Sequence, residues 1–290
     1  MFDIWTLSIA DIVIELLVDH SIHSNEEFDC FMSKGEKPDA SSTFYRVEKL
    51  PVYHGEKLYT DRLYSIVMDD SGNLIKYFKV YPEDMEYSAA AIYDSTNKRV
   101  RVEYLEVYLR CVSELQNCFY HLGFESILLD RNKLCLHASC IETPLGGLLF
   151  SGVSGIGKST QADLWCRYRN ARYINGDRPI LSKENNGWLA WGSPYAGSSK
   201  HYVNDNTPVT AIMLLKQSRT CSLCRLTPAE AFRGIWAGLT VHTWDPAFVE
   251  KASALAIDLI SAVPVFEFSC TPDENAVNAL EQALRKELNL

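Results

Sequence analysis

LLFSGVSGIGKSTQADLW (148–165) decides the fold of this chain. An apolar run stops at Gly152, a loop of small residues follows, and Lys158-Ser159 opens a segment with helical spacing. Gly152 to Ser159 fits GxxxxGK[ST], the pattern of a phosphate-binding loop between a strand and a helix. Glycines let successive N–H groups point inward at an anion, and the helix N-terminus adds positive potential. The expected cradle is Gly152, Val153, Ser154, Gly155, Ile156, Gly157, Lys158, Ser159 and Thr160. In it Lys158 reaches the β- and γ-phosphates of a nucleotide, and the Ser159 hydroxyl can ligate Mg²⁺. A plain glycine-rich turn is the competing reading; the apolar lead and helical tail favour the phosphate loop.

Just upstream, LCLHASCIE (134–142) is joined to LLFSGV by TPLGG. A parallel crossover needs a dozen or more residues, so these two strands must be antiparallel and the sheet mixed. Downstream, STQADLWCRY reads as a helix, RYINGDRPIL as a strand, and ENNGW as an Asn-Gly hairpin turn into WLAW. TPVTAIMLLKQ and VPVFEF read as further strands. Thr227-Pro228-Ala229-Glu230 and Thr271-Pro272-Asp273-Glu274 each place Thr at N-cap, Pro at N1 and Glu at N3 of a helix, and Asp245-Pro246 opens another.

A phosphate loop that holds a metal needs a carboxylate at the end of a neighbouring strand. Asp177, in YINGDRP, is the candidate, against the reading of a turn aspartate after Gly176. Arg178 beside it serves a phosphoryl oxygen or pairs with an acid. His137, in LCLHAS, is either a satisfied core histidine or a catalytic group. GSPYAGSSKHY (192–202) carries Lys200 and His201, and reads as a closing loop or a solvated connection.

The first hundred residues are β-rich: IADIVIELLV, TFYRVEKL, RLYSIVMDD, NLIKYFKVY and AAAIYDS, with DDSGN (69–73) and DSTNK (94–98) as hairpin turns. EYLEVYLRCVSELQNCFYHLG has helical spacing, which predicts a bridging helix over about residues 103 to 122 with Gly123 as its C-cap glycine. Two domains are expected: residues 1–125, a β-rich module with the bridging helix, and residues 126–290, the core.

The 290 residues carry a net charge of -9, which argues against a nucleic-acid footprint. Nine scattered cysteines, an odd number, are expected to be free thiols of a reducing compartment. Cys221 and Cys224 form one CxxC with no second pair at similar spacing, which argues against zinc. No basic start precedes the first apolar stretch, and no run has the length of a membrane span. A soluble cytoplasmic protein without membrane or nucleic-acid partners is expected.

LHASCIETPLGGLLFSGVSGIGKSTQADLW…YINGDRPIL resembles the catalytic core of HPr kinase/phosphorylase and its relatives, a P-loop arrangement shared with phosphoenolpyruvate carboxykinases. The likeness covers about residues 130 to 270 and rests on His137, the 152–159 loop, and Asp177-Arg178. It implies an α/β fold whose mixed, partly antiparallel sheet carries a P-loop kinase core, preceded by a smaller β-rich module. It implies a phosphotransferase that moves a phosphoryl group from ATP, with Mg²⁺ held by Ser159 and Asp177, to a hydroxyl. Asp177, His137, Lys158 and Arg178 would be its catalytic residues. That family carries two adjacent aspartates where this chain has Gly176-Asp177, and its glycine-rich partner signature is not found here. The acceptor expected is therefore a serine of another peptide or protein, or a small molecule. The resemblance also allows a homo-oligomer. The rivals are a non-catalytic nucleotide sensor or scaffold and, with less support, carboxykinase-like chemistry.

Overall fold

Alternation along IVIELLV shows how the first sheet is made. Ile12, Ile14, Leu16 and Val18 are buried, while the residues between them are half-buried, so a strand puts one set into the core. The computed structural model describes residues 2–24, 26–94, 96, 98–195 and 197–289, with the side chains of residues 27 and 198 excepted. The chain forms two compact units, residues 1–127 with 243–246, and residues 128–242 with 247–290.

In the first unit the strands are β1 (Asp3–Ile9), β2 (Ile12–Val18), β3 (Ala40–Arg46), β4 (Gly55–Thr60), β5 (Tyr64–Asp69), β6 (Leu74–Phe78), β7 (Ala89–Tyr93) and β8 (Arg99–Tyr104). A short helix, α1 (Glu26–Asp29), lies between β2 and β3. The strands form one mixed sheet in the order β1-β2-β3-β8-β7-β6-β5-β4, with β3 parallel to both β2 and β8. IADIVIELLV is not one strand. Ala10 and Asp11 take left-handed conformations, and this two-residue turn folds β2 back onto β1. DDSGN joins β5 to β6, with Asp69 Oδ1 accepting from Ser71 N and Asn73 N. DSTNK lies between the antiparallel β7 and β8, but its Ser95 and Asn97 fall outside the described residues.

The helix expected over 103–122 does not form as one piece. Glu103 and Tyr104 finish β8; a 3-10 turn covers Glu106–Val112, and α2 covers only Leu115–Tyr120. Between them the backbone pairs with His23: His23 N donates to Ser113 O and Leu115 N to His23 O. Long-range pairing overrides the helical spacing there. Gly123 does take a left-handed conformation, between α2 and α3 (Phe124–Asp130).

The second unit is a nine-stranded mixed sheet covered on both faces. Its strands are β9 (Lys133–Cys135), β10 (Ala138–Thr143), β11 (Gly146–Ser151), β12 (Arg172–Asn175), β13 (Ile180–Glu184), β14 (Gly187–Trp191), β15 (Asn206–Gln217), β16 (Ser222–Arg225) and β17 (Val265–Cys270). Its helices are α4 (Lys158–Arg169), α5 (Pro228–Gly238), α6 (Pro246–Ala262) and α7 (Glu274–Leu288). The order β12-β10-β11-β15-β14-β13-β9 is extended by β17, which pairs with β15 and β16. β10 is antiparallel to β11, as so short a connection requires, whereas β11 and β17 run parallel to β15. Trp165 of α4 and Leu280 of α7 pack on one face with Phe150 and Met213. Ile235 of α5 and Leu259 of α6 pack on the other with Leu149 and Ile212. With both faces covered, β11 reads as a continuous apolar run.

Three boundaries differ from the expectation. LCLHASCIE breaks at Leu136-His137 into β9, which pairs with β13, and β10, which pairs with β11 and β12. RYINGDRPIL likewise breaks at residues 176–179 into β12 and β13, because its two halves join different neighbours. Helix α7 is capped by Asp273 rather than Thr271: Asp273 Oδ1 accepts from Asn275 N and from Thr271 Oγ1. Helix α5 has the expected capping box, Thr227 with Glu230. The hairpin at ENNGW forms, with Glu184 opposite Gly187 and therefore Asn185-Asn186 as its turn.

Candidate active site

β11 ends at Ser151, residues 152–157 form a loop, and α4 begins at Lys158. Gly155 and Gly157 have φ of 77° and 111°, a region that penalises any Cβ, while a Cβ on either would meet nothing within 4 Å. Backbone conformation, not crowding, therefore requires glycine there, and the space beside both residues is open. The first-turn N–H groups of a helix have no carbonyl one turn earlier to bond, so those of α4 are available to an anion. Arg167 and Arg169 in the last turn complement the opposite end of the dipole.

The loop borders a cleft of about 260 Å³ lined by His137, Ser154, Gly155, Gly157, Lys158, Ser159, Thr160, Gly176, Asp177 and Ser199. Lys158 is 8% exposed and folds over its own loop, with Nζ donating to Gly152 O at 3.2 Å and Val153 O at 3.4 Å. Burial holds its ammonium pKa below the ordinary range, and Arg178 nearby adds to the effect while Asp177 opposes it. Val153 is exposed on the loop, and Ile156 anchors it in the core beside α4.

Asp177 lies two residues beyond β12. His137 Nε2 is 3.2 Å from Asp177 Oδ1, and Arg178 Nε is 3.4 Å from Asp177 Oδ2. Arg178 Nη1 also donates to Thr240 Oγ1 at 2.9 Å. Burial lowers the His137 pKa, with Lys158 and Arg178 reinforcing this and Asp177 opposing it. A carboxylate oxygen can only accept, so the Nε2–H of the imidazole donates to Asp177 Oδ1. His137 sits in the break between β9 and β10; its N–H donates to Gly238 O, and its carbonyl accepts from Ser151 Oγ. Ala138 N donates to Asp177 O at 2.9 Å, so backbone ties these two segments together.

The cleft thus gathers His137, Lys158, Ser159, Thr160 and Asp177, with Arg178 as the partner of Asp177. Lys200 and His201 do not line it. Lys200 is exposed, and the His201 ring stacks on Tyr173 at 4.1 Å. Ala196 of the same loop falls outside the described residues. Three contributors had only a faint signal in the sequence. Asn175 is buried and its Oδ1 accepts from Asp177 N (2.9 Å) and Arg178 N (2.6 Å), while Nδ2 donates to Ser193 O. That is an Asx turn, readable in Asn-Gly-Asp only as a turn. Gly197 packs against Asp177: a Cβ on it would lie 2.8 Å from Asp177 Cγ. Ser199 belongs to a Gly/Ser run that reads as a loop and nothing more.

No three His, Cys, Asp or Glu side chains among the described residues form a metal-binding cluster. Of the CxxC pair, Cys224 is an exposed and Cys221 a half-buried thiol. No described helix is long and apolar enough to cross a membrane.

No family model and no curated protein matches the chain. Among solved structures, the Hpr(Ser) kinase/phosphatase from Coxiella burnetii is similar at 17% identity and a TM-score of 0.34. The match covers 53% of this chain and 90% of that one. A likeness that loose carries no function across.

Proposed function

We propose that this cleft binds ATP with Mg²⁺ and transfers the γ-phosphoryl group to a hydroxyl, a serine of a peptide or protein or that of a small molecule. The observation that carries the reading is the convergence of Lys158, the first residue of α4, with Asp177 and His137 in one open cleft. The fit is good on three counts: open space beside Gly155 and Gly157, a helix that begins directly after the loop, and a buried ammonium folded over it.

In this reading the N–H groups of residues 152–160 hold the phosphates, and Lys158 offsets charge on the γ-phosphoryl oxygens. Ser159 and Asp177 are the side chains that would hold Mg²⁺. Mg·ATP supplies the phosphoryl group when bound. Asp177, oriented by His137 and Arg178 and backed by Gly197, accepts the proton of the incoming hydroxyl.

A second reading, a nucleotide sensor without catalysis, is favoured by one observation: Asp177 is the single carboxylate lining the cleft among the described residues. Release of ADP from Mg·ATP separates the two.

Calorimetric titration of Mg·ATP into the protein and into Lys158→Ala tests the binding step. The expected result is Mg²⁺-dependent binding that weakens about tenfold to hundredfold in the variant, the value of a charge-assisted contact. A wild-type protein that does not bind Mg·ATP would overturn the proposal.

A further inference from the structure

The cleft already contains a seryl hydroxyl of this chain. Gly176 precedes Asp177, and a Cβ built on it would fall within the contact radius of Ser199 Oγ and 2.9 Å from Ser199 Cβ. The Ser199 side chain therefore occupies the space that any side chain at position 176 would take, in the cleft that Asp177 also lines. Absence of a side chain at Gly176 is what admits it.

Ser199 is held there from both sides. On the near side, Gly197 packs against the Asp177 side chain. Beyond it, Gly176 N donates to His201 O at 2.8 Å, and Val203 N donates to Ile174 O at 3.2 Å. Asn175 and Tyr202 form an antiparallel bridge, and His201 stacks on Tyr173. Tyr173 is in turn tied to α4, its hydroxyl donating to Asp163 Oδ1 at 2.8 Å. The segment is thus stitched to the end of β12 and through it to the helix that begins at Lys158.

We propose that Ser199 is an internal phosphoryl acceptor, so that the protein phosphorylates itself on this residue. The inference rests on the proposed function and names one acceptor for it. Ser199 Oγ forms a bond to the γ-phosphorus of a nucleoside triphosphate, and the bond from that phosphorus to the β,γ-bridging oxygen breaks. The nucleoside diphosphate leaves with the electron pair, and the hydroxyl proton passes to the Asp177 carboxylate. Because Ser199 is fixed in the same cleft as its own Lys158 and Asp177, transfer takes place within one chain.

The test is incubation with Mg·ATP labelled at the γ-phosphorus, followed by mapping of the label to a residue. The expected result is label on Ser199 in the wild type, reduced to background in Ser199→Ala and in Lys158→Ala. Gly176→Ala, which must displace the Ser199 side chain, is expected to lower labelling although the serine itself is retained. Lys158→Ala protein mixed with wild type stays unlabelled if transfer is internal; label appearing on it overturns internal transfer. Mg·ATP binding measured on the same wild-type preparation tells the two failures apart. Binding with no phosphate on Ser199, or with phosphate on another residue, overturns this inference alone. Absence of binding overturns the proposed function along with it.

Discussion

His121, in residues 1–127, and His137, in residues 128–242, both hold their imidazole pKa below the ordinary range, and burial is the leading cause for each. Their surroundings differ. His121 is buried and fully partnered, Nδ1 donating to Asn117 O at 2.7 Å and Nε2 accepting from Tyr108 OH at 3.0 Å. Phe44 and Phe78 pack against its ring. His137 keeps 29% of its side chain exposed, meets a carboxylate, and lies in the field of an ammonium and a guanidinium. A buried polar group with every partner in place specifies packing, whereas charged groups gathered around open space are arranged for a ligand.

The sharpest way to break that contrast is Asp177→Asn. If Asp177 takes the acceptor proton, ADP release from Mg·ATP falls by about 10²–10⁴-fold, the usual value of a general base. A near-wild-type rate would make the Asp177–His137 pair as structural as His121.

The second effect belongs to the first unit and depends on pH. The folded pKa of His121 is about 4 against 6.5 for the free group. As pH falls below 6.5 the unfolded chain takes up the proton first, so this contribution is fully present above 6.5 and is lost progressively down to about 4. It amounts to about 3 kcal/mol by linkage. Hydrogen-exchange protection of β3 and β8 read across that range checks it; protection flat with pH would mean that the imidazole is not sealed.

Asn175→Ala comes next, with a cost of about 1–3 kcal/mol because the N–H groups of Asp177 and Arg178 lose their shared acceptor. A lowered melting temperature should be accompanied by weaker Mg·ATP binding, since the turn positions Asp177; a stability loss with unchanged binding would separate the turn from the site. The smallest effect expected is Thr227→Ala in the capping box of α5, about 1 kcal/mol of stability with the Mg·ATP titration unchanged.

How much was legible follows the range of the interactions. The loop, the helix from Lys158 and the antiparallel β10–β11 pair could be read because each depends on neighbours within a few residues. His137 and Asp177 were readable only as candidates, since a lone histidine in an apolar run and an aspartate after a glycine have ordinary explanations. The helix over 103–122 failed because its apolar spacing cannot reveal that residues 113 and 115 pair with His23. Asn175 and Ser199 were hidden in turn and loop composition, whose chemistry depends on what lies across from it.

By itself, then, the sequence determined a strand, a glycine loop and a helix N-terminus bearing Lys158, because local backbone geometry and short connections leave few alternatives. Tertiary structure decided what faces that loop. β10 lies between β11 and β12, and the breaks after β9 and β12 bring His137 against Asp177. Gly197 then packs against Asp177, and Gly176 leaves room for Ser199. Strand order and register are settled by burial summed over the whole sheet, and no single segment carries that information.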